Sequence, residues 1–188
     1  SDIYFSNHSF KKWKENADLK SHFDLHIKDL TYKITTNLFG KMNYGYIGVA
    51  IWITETLAYR RKQDLHLKNK DKLELTYRLQ PGRLSVFDGK HNTLIIDSTY
   101  NASPLSVRKT IDTVYTIRNS CFPKSEIWLI LWDMRELGDL TESEHRKLAG
   151  YVSQSADQLF LLGKSMNDYL ADELEKLWLT NNLSICKS

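Results

Sequence analysis

Apolar and polar residues alternate in the N-terminal part of the chain. The apolar positions of this alternation are Phe23, Leu25, Ile27, Tyr32 and Ile34. A period of two places successive side chains on opposite faces of a strand, so the pattern predicts two strands that each bury one face. Because Lys28-Asp29 separates the two runs, the sequence predicts a β-hairpin.

A second apolar run occupies residues 47–58 and follows the segment Gly40-Lys41-Met42-Asn43. Its β-branched residues favour a strand, whereas its length and the polar residues Glu55 and Arg60 are compatible with a buried helix. The residues alone leave both interpretations open.

The rest of the chain alternates short apolar runs with segments of helical periodicity. The apolar runs at residues 94–96, 126–131 and 159–162 predict three buried strands, the first of them buried on both faces. Helical spacing recurs at Val107, Ile111, Val114 and Tyr115, again at His145, Leu148, Ala149 and Val152, and finally between residues 166 and 178. The segment Thr141-Glu142-Ser143-Glu144 predicts a capping box at the start of the middle helix.

Strands separated by helices in this way predict an α/β fold with a Rossmann-like, mostly parallel sheet and helices on both faces. Asp88-Gly89 predicts a tight hairpin turn just before the first of these strands. No Gly-x-Gly-x-x-Gly follows any strand, so the sheet lacks the dinucleotide-binding fingerprint.

The junction after residues 94–96 is the most informative segment for function. Polar residues from Asp97 to Asn101 follow the apolar run, and Ser103-Pro104 then provides an N-cap and a first helical residue. Ligands of open α/β sheets bind at the carboxyl ends of strands. The sequence therefore predicts a binding site in this loop.

Composition excludes several classes of function. The formal net charge of +3 is too small to indicate a nucleic-acid surface, and no apolar run reaches the roughly 20 residues that a bilayer span needs. The cysteines Cys121 and Cys186 and the six histidines form no metal-binding pattern, so no metal site is expected on the protein. Unpaired cysteines without a secretory signal predict a cytoplasmic protein.

Three ordered motifs carry a resemblance to a known family. They are the loop from Asp97 to Pro104, Pro81-Gly82-Arg83-Leu84 upstream, and Asp133-Met134-Arg135-Glu136-Leu137-Gly138 with His145 downstream. In this order and spacing they resemble the Mur ligases, most closely the branch that adds D-alanyl-D-alanine in peptidoglycan synthesis. The resemblance extends over roughly residues 40 to 165, and it favours a helix for residues 47–58.

The resemblance implies an ATP-dependent amide-bond ligase that acts through an acyl phosphate. Its implied cofactors are ATP and Mg²⁺, and its implied partners are a UDP-muramoyl peptide and an amino acid or dipeptide. The chain lacks Gly-x-x-x-x-Gly-Lys-[ST], so this segment alone is expected to be inactive. Residues 1–72 are expected to be a hairpin-plus-helix end of the central ATPase domain, and residues 73–188 a truncated C-terminal domain of a monomeric protein.

The resemblance also implies the site residues. Arg83, Asp97 and Asn43 are expected to bind ATP, and the Arg83 guanidinium to reach its phosphates. Tyr100, Asn101 and Asp133 are expected to bind the incoming amine. No catalytic residue is assigned, because the helical spacing of His145 with Leu148 indicates packing or local hydrogen bonding.

Departures from the family pattern motivate an alternative function. Ser98 replaces a second aspartate, Trp132 replaces a glycine and Met42 replaces a histidine. A binding module that keeps the ligase fold without catalysis is therefore the main alternative. An unrelated α/β nucleotide-binding protein is the more distant one.

Overall fold

A computed structural model of the chain describes residues 3–12, 19–62, 72–178 and 184–187. Its elements separate into two units, one comprising Ser1–Gln80 and Leu84–Asp97 and the other comprising Pro81–Arg83 and Ser98–Ser188. Each unit has its own hydrophobic core. The domain boundary predicted between residues 72 and 73 remains a prediction.

The first unit is built around a four-stranded sheet and one long helix. Its described elements are β1 (Ile3–Lys12), β2 (Leu19–Ile27), β3 (Leu30–Thr36), α1 (Lys41–Arg60), β4 (Lys72–Leu75), β5 (Ser85–Asp88) and β6 (Leu94–Asp97). The sheet has the order β1-β2-β3-β4, in which only β3 and β4 run parallel. Helix α1 supplies the crossover that a parallel pair requires.

The predicted hairpin is confirmed as β2 and β3. Phe23 lies opposite Ile34 and Leu25 lies opposite Tyr32, so the alternating apolar positions share one face. All four side chains are buried, and they pack in one core with Tyr44 of α1. One-sided burial against the helix is the reason that the period of two was visible in the sequence.

Residues 47–58 lie within α1, which confirms the helix that the resemblance favoured. Tyr44, Ile47 and Ile51 face the sheet and are buried, whereas Trp52 and Leu57 remain exposed. Helix α1 therefore carries apolar residues on both its packed and its exposed sides.

No helix in the described ranges combines the length and apolarity that a bilayer crossing requires.

A chain of polar groups crosses the core beneath α1. The Tyr44 hydroxyl, fully buried, lies 2.7 Å from His8 Nε2 and donates to Ser21 Oγ at 3.0 Å. Ser21 in turn donates to the Leu38 carbonyl at 2.8 Å. Burial and, to a smaller extent, the charge of Lys41 lower the pKa of His8 below its usual value of 6.5.

This lowered pKa predicts acid sensitivity of the first unit. The unfolded chain binds a proton at His8 near pH 6.5, while the folded chain resists it, so the unfolding free energy falls as pH drops below 6.5. Urea unfolding at pH 7.5 and pH 5.5 measures this loss. His22, whose pKa is also lowered by burial, contributes in the same direction.

The control for this prediction is His8→Gln, which keeps a polar side chain and cannot titrate. We expect a smaller loss of unfolding free energy between the two pH values in this variant than in the wild type. Equal losses in both proteins would contradict the role of His8.

Strands β5 and β6 correct one prediction from sequence. They form an antiparallel hairpin in which Ile95 is 48% exposed, so residues 94–96 are not buried on both faces. The hairpin predicted around Asp88-Gly89 is present, and its connection contains a turn at Lys90–Asn92 before β6 begins at Leu94. An apolar run of this length does not distinguish a central strand from a half-exposed hairpin strand.

The second unit is an α/β assembly around a parallel sheet. Its described elements are α2 (Pro104–Cys121), β7 (Trp128–Trp132), α3 (Thr141–Lys147), α4 (Ala149–Ser155), β8 (Gln158–Leu162), α5 (Asp172–Lys176) and β9 (Ser184–Lys187). The sheet has the order β7-β8-β9, and both strand pairs are parallel. The predicted α/β, Rossmann-like fold class is confirmed.

The core of the second unit joins one face of this sheet to the helices. Leu129, Leu159 and Leu161 point into it from the strands, and Ile111 and Val152 meet them from α2 and α4. Full burial of each such aliphatic side chain is worth about 1.5–3 kcal/mol. The predicted inner helix face, which includes His145 and Leu148, is buried as expected.

The opposite face of β7 is exposed. Trp128, Ile130 and Trp132 are each at least 60% exposed, so the strand predicted at residues 126–131 begins at Trp128 and buries one face only. Trp132, which the resemblance places where the family has a glycine, therefore points its side chain away from the core.

Two predicted helix features differ in detail. The Thr141 hydroxyl donates to the Gly138 carbonyl at 2.7 Å and does not cap α3, because a turn at Gly138–Leu140 leads directly into that helix. The last helix is irregular, with a π-helical segment at Met166–Ala171 before α5. The spacing of its apolar residues does not reveal this widening.

Candidate functional site

The loop after β6 enters α2 through the cap that the sequence predicts. Ser103 Oγ accepts the Ser106 backbone N–H at 3.2 Å, and the Ser106 hydroxyl accepts the Ser103 N–H at 2.9 Å. Pro104 occupies the first helical turn, where its missing N–H costs nothing. This reciprocal capping box fixes the end of the loop that carries Tyr100 and Asn101.

Arg83 and Tyr100 are brought together in the second unit. The Arg83 guanidinium carbon lies 4.0 Å from the centroid of the Tyr100 ring, which is a cation–π contact. Both side chains are exposed, Tyr100 to 62%. A fixed positive charge with open access is suited to binding an anionic ligand.

The backbones of the two loops are also joined at this point. The Tyr100 N–H donates to the Gly82 carbonyl at 3.1 Å. Gly82 has φ +80°, and a Cβ at this position would lie 2.7 Å from the Tyr100 nitrogen. Only glycine meets both the backbone conformation and the close approach, which explains the glycine in Pro81-Gly82-Arg83.

Ser98, which the resemblance places where the family has a second aspartate, is directed towards α2. Its hydroxyl lies 3.3 Å from the Thr110 hydroxyl, and the side chain is partly buried. Ser98 is therefore a neutral group that forms a contact within the fold. Asn101 is exposed on the same loop.

Asp133 lies directly after β7, and its carboxylate binds the first residue of the helical segment Met166–Ala171. Its Oδ1 accepts the backbone N–H of Met166 at 2.8 Å. Helix starts leave N–H groups without internal partners and favour negative charge, so the carboxylate is well placed there. Gly163, with φ +96°, leaves space for it, because a Cβ there would lie 2.5 Å from Asp133 Cγ.

His145 holds the loop that begins at Asp133. The imidazole is fully buried; its Nε2 accepts the Met134 N–H at 3.1 Å and its Nδ1 lies 2.6 Å from the Thr141 carbonyl. Because a carbonyl only accepts, Nδ1 is the donor in this hydrogen bond. The predicted role of His145 in packing and local hydrogen bonding is confirmed.

The remaining predicted residues belong to the first unit. Asp97 is the last residue of β6 and pairs in register with Ser85. Asn43 lies in the first turn of α1, where its amide donates to the Phe39 carbonyl at 2.6 Å. The side chain of Met42 lies outside the described residues.

Sequence reasoning missed Gly163 and the contact between Asp133 and Met166. The available signal was Gly163-Lys164-Ser165, a glycine between a strand and a helix. In the parts of the chain that the structure describes, histidine, cysteine and carboxylate side chains form no group of three or more suited to a metal ion.

This arrangement has a defined chemical capacity. An exposed guanidinium on an aromatic ring can bind phosphate through two N–H donors, and a loop carboxylate can bind an ammonium group. Neither feature is a nucleophile with an adjacent base. The second unit is therefore equipped to bind and orient ligands.

Comparisons with known proteins bear on this site. The family model for the glutamate ligase domain of Mur ligases matches residues 82–186. The UDP-N-acetylmuramoyl-tripeptide–D-alanyl-D-alanine ligase of Bacillus subtilis (strain 168) is 32% identical over 83 residues, which are 44% of this chain and 17% of that protein.

Solved structures resemble the whole chain. The MurF ligase from Thermotoga maritima in complex with ADP has a TM-score of 0.68 at 16% identity, over 100% of this chain and 37% of its own. MurF from Acinetobacter baumannii has a TM-score of 0.65 at 20% identity, over 100% and 36%. The chain thus spans little more than a third of these proteins, and the likeness concerns the fold.

Proposed function

The chain belongs to the Mur ligase family, and from this premise we propose that it forms part of an ATP-dependent amide-bond ligase of peptidoglycan precursor synthesis. The full-length protein would add an amino acid or D-alanyl-D-alanine to a UDP-muramoyl peptide. The family match over residues 82–186, which includes Arg83, Tyr100 and Asp133, carries this proposal. The relative from Bacillus subtilis, named as a UDP-N-acetylmuramoyl-tripeptide–D-alanyl-D-alanine ligase, supports the choice of amine.

The proposed role of this segment is to bind the amine and to close over ATP. ATP supplies the phosphoryl group that activates the substrate carboxylate as an acyl phosphate for attack by the amine. Arg83 binds the phosphates, because a guanidinium keeps its charge and offers paired donors. Asp97 and Asn43 contact the nucleotide in this proposal, and Mg²⁺ is held mainly by the central domain, of which residues 1–72 form the end.

Tyr100, Asn101 and Asp133 form the proposed amine site. Asp133 Oδ1 already accepts the Met166 N–H, so the carboxylate is oriented before a ligand arrives. An ammonium group approaching this carboxylate would gain a charge-assisted hydrogen bond. We further propose that residues 73–188 form the C-terminal domain and that the protein acts as a monomer in the cytoplasm, without nucleic acid or membrane partners.

Arg83→Ala in the full-length protein is the main test of this proposal. A hydrogen bond to a charged group contributes about 1.5–3 kcal/mol, so kcat/KM for ATP is expected to fall about 10- to 100-fold. The exposed Arg83 side chain contributes little to folding, and the thermal unfolding midpoint should not change. Steady-state phosphate release with muramoyl-peptide substrates measures the effect.

The matched control is Arg60→Ala, which removes an exposed arginine from the last turn of α1. Its kcat/KM should equal that of the wild type. Unchanged kinetics in Arg83→Ala would remove this residue from the ATP site.

The alternative is a non-catalytic module with the Mur ligase fold. It is favoured by Ser98, which replaces a carboxylate and lies 3.3 Å from Thr110, and by Trp132, which stands where the family has glycine. The same assay separates the two functions, because a non-catalytic module would release no ATP-dependent phosphate with any amine donor.

A further inference from the structure

We infer that Tyr100 is a positioning residue for Arg83, holding the guanidinium over its ring so that the charge is in place before ATP arrives. The inference rests on the proposed function, in which Arg83 binds the phosphates. It concerns the geometry of one pair, the guanidinium carbon 4.0 Å from the ring centroid. Tyr100 acts on ATP through Arg83 in this view.

A backbone hydrogen bond joins the two loops that carry Arg83 and Tyr100. Gly82 and Tyr100 share a hydrogen bond of 3.1 Å, and Arg83 follows Gly82 directly. The absence of a Cβ at Gly82 allows the two loops to approach this closely. The backbone of the two loops therefore places the ring and the guanidinium side by side, although both side chains are exposed.

Contact with the ring leaves the N–H donors of the guanidinium available to a phosphate. An arginine that stacks on a ring uses the flat face of its guanidinium, while the five N–H donors point outward from the edge. No carboxylate forms an ion pair with Arg83 among the residues described here. The ring thus restricts the side chain without neutralising its charge.

A restricted arginine binds with a smaller loss of side-chain freedom. Long charged side chains lose substantial rotamer entropy when a ligand immobilises them, and a stacked guanidinium has lost part of it already. Removing the ring should therefore weaken ATP binding.

A double-mutant cycle on the full-length protein tests this inference. The dissociation constant for ATP with Mg²⁺ is measured by titration calorimetry for Tyr100→Leu, Arg83→Ala and the double variant. Exposed cation–π pairs predict that Tyr100→Leu weakens binding about two- to fivefold. In the Arg83→Ala background, Tyr100→Leu should have no further effect.

Substituting other aromatic residues for Tyr100 gives an order of ATP affinities that a purely structural role would not produce. Tyr100→Phe should bind ATP like the wild type, and Tyr100→Trp at least as tightly, because indole is the strongest cation–π partner. The matched control is Tyr115→Leu, which removes the ring beside Arg118 in α2, where the guanidinium lies 5.4 Å from the centroid. This variant should bind ATP unchanged.

The outcomes distinguish the inference from the proposed function. Wild-type protein that binds no ATP would overturn the proposed function and the inference with it. Wild-type binding with additive effects of Tyr100→Leu and Arg83→Ala would overturn the inference alone. A loss in Tyr100→Phe as large as in Tyr100→Leu would also overturn it, since the hydroxyl would then be the active group.

Discussion

Gly163→Ala is expected to lower the free energy of unfolding of the second unit by about 3 kcal/mol. Gly163 has φ +96°, a conformation that costs a residue with a side chain about 1–3 kcal/mol. The new methyl group would also lie 2.5 Å from Asp133 Cγ. Moving that carboxylate breaks its 2.8 Å hydrogen bond from the Met166 N–H, a loss of about 1.5–3 kcal/mol. Urea unfolding, followed by tryptophan fluorescence, measures the change.

Gly150→Ala is the matched control for this substitution. Gly150 is an exposed residue of α4, and a Cβ there meets no atom within 4 Å. Alanine is the better helix former, so this variant should be more stable by about 0.5–1 kcal/mol. Opposite signs for the two glycine substitutions would show that local geometry decides the outcome.

The Asp133→Ala background separates the two causes of the Gly163 effect. Without the carboxylate, Gly163→Ala should cost only the backbone strain, so the two substitutions should be strongly non-additive. Additive losses would contradict contact between the two residues.

The fold could be predicted wherever one side of an element faces a core. Phe23 and Leu25 alternate with polar neighbours because α1 covers only one face of their sheet. His145 and Leu148 follow helical spacing for the same reason. These patterns are local, and the sequence displays them directly.

The unpredicted features depend on contacts between distant residues. Asp133 accepts a hydrogen bond from Met166, 33 residues later, and the Arg83 guanidinium lies over a ring 17 positions away, so neither pairing has a local signal. Thr141 matched the capping-box spacing, but the turn before it had already begun the helix. The proposed site residues come from the resemblance to family motifs, since spacing alone identified only a polar loop after a strand.

His145→Ala is expected to lower the free energy of unfolding of the second unit by about 3–5 kcal/mol, because it leaves a cavity and a buried N–H group without an acceptor. The Met134 N–H loses its acceptor, Nε2 at 3.1 Å, and the Thr141 carbonyl loses Nδ1 at 2.6 Å. Urea unfolding measures the stability, and hydrogen exchange of the Met134 amide reports on the broken bond.

A second substitution at residue 145 shows whether the volume or the hydrogen bonds of the imidazole stabilise the fold. His145→Leu restores most of the volume without the hydrogen bonds, so about 2–3 kcal/mol of the loss should remain. His91→Asn is the control, because His91 is an exposed histidine at φ +56°, where asparagine is well tolerated. If His145→Leu were as stable as the wild type, packing alone would explain the residue, and the loop that starts at Asp133 would not depend on this hydrogen bond. If the loss persists, His145 fixes the backbone next to Asp133, and the proposed amine site depends on a side chain that itself contacts no ligand.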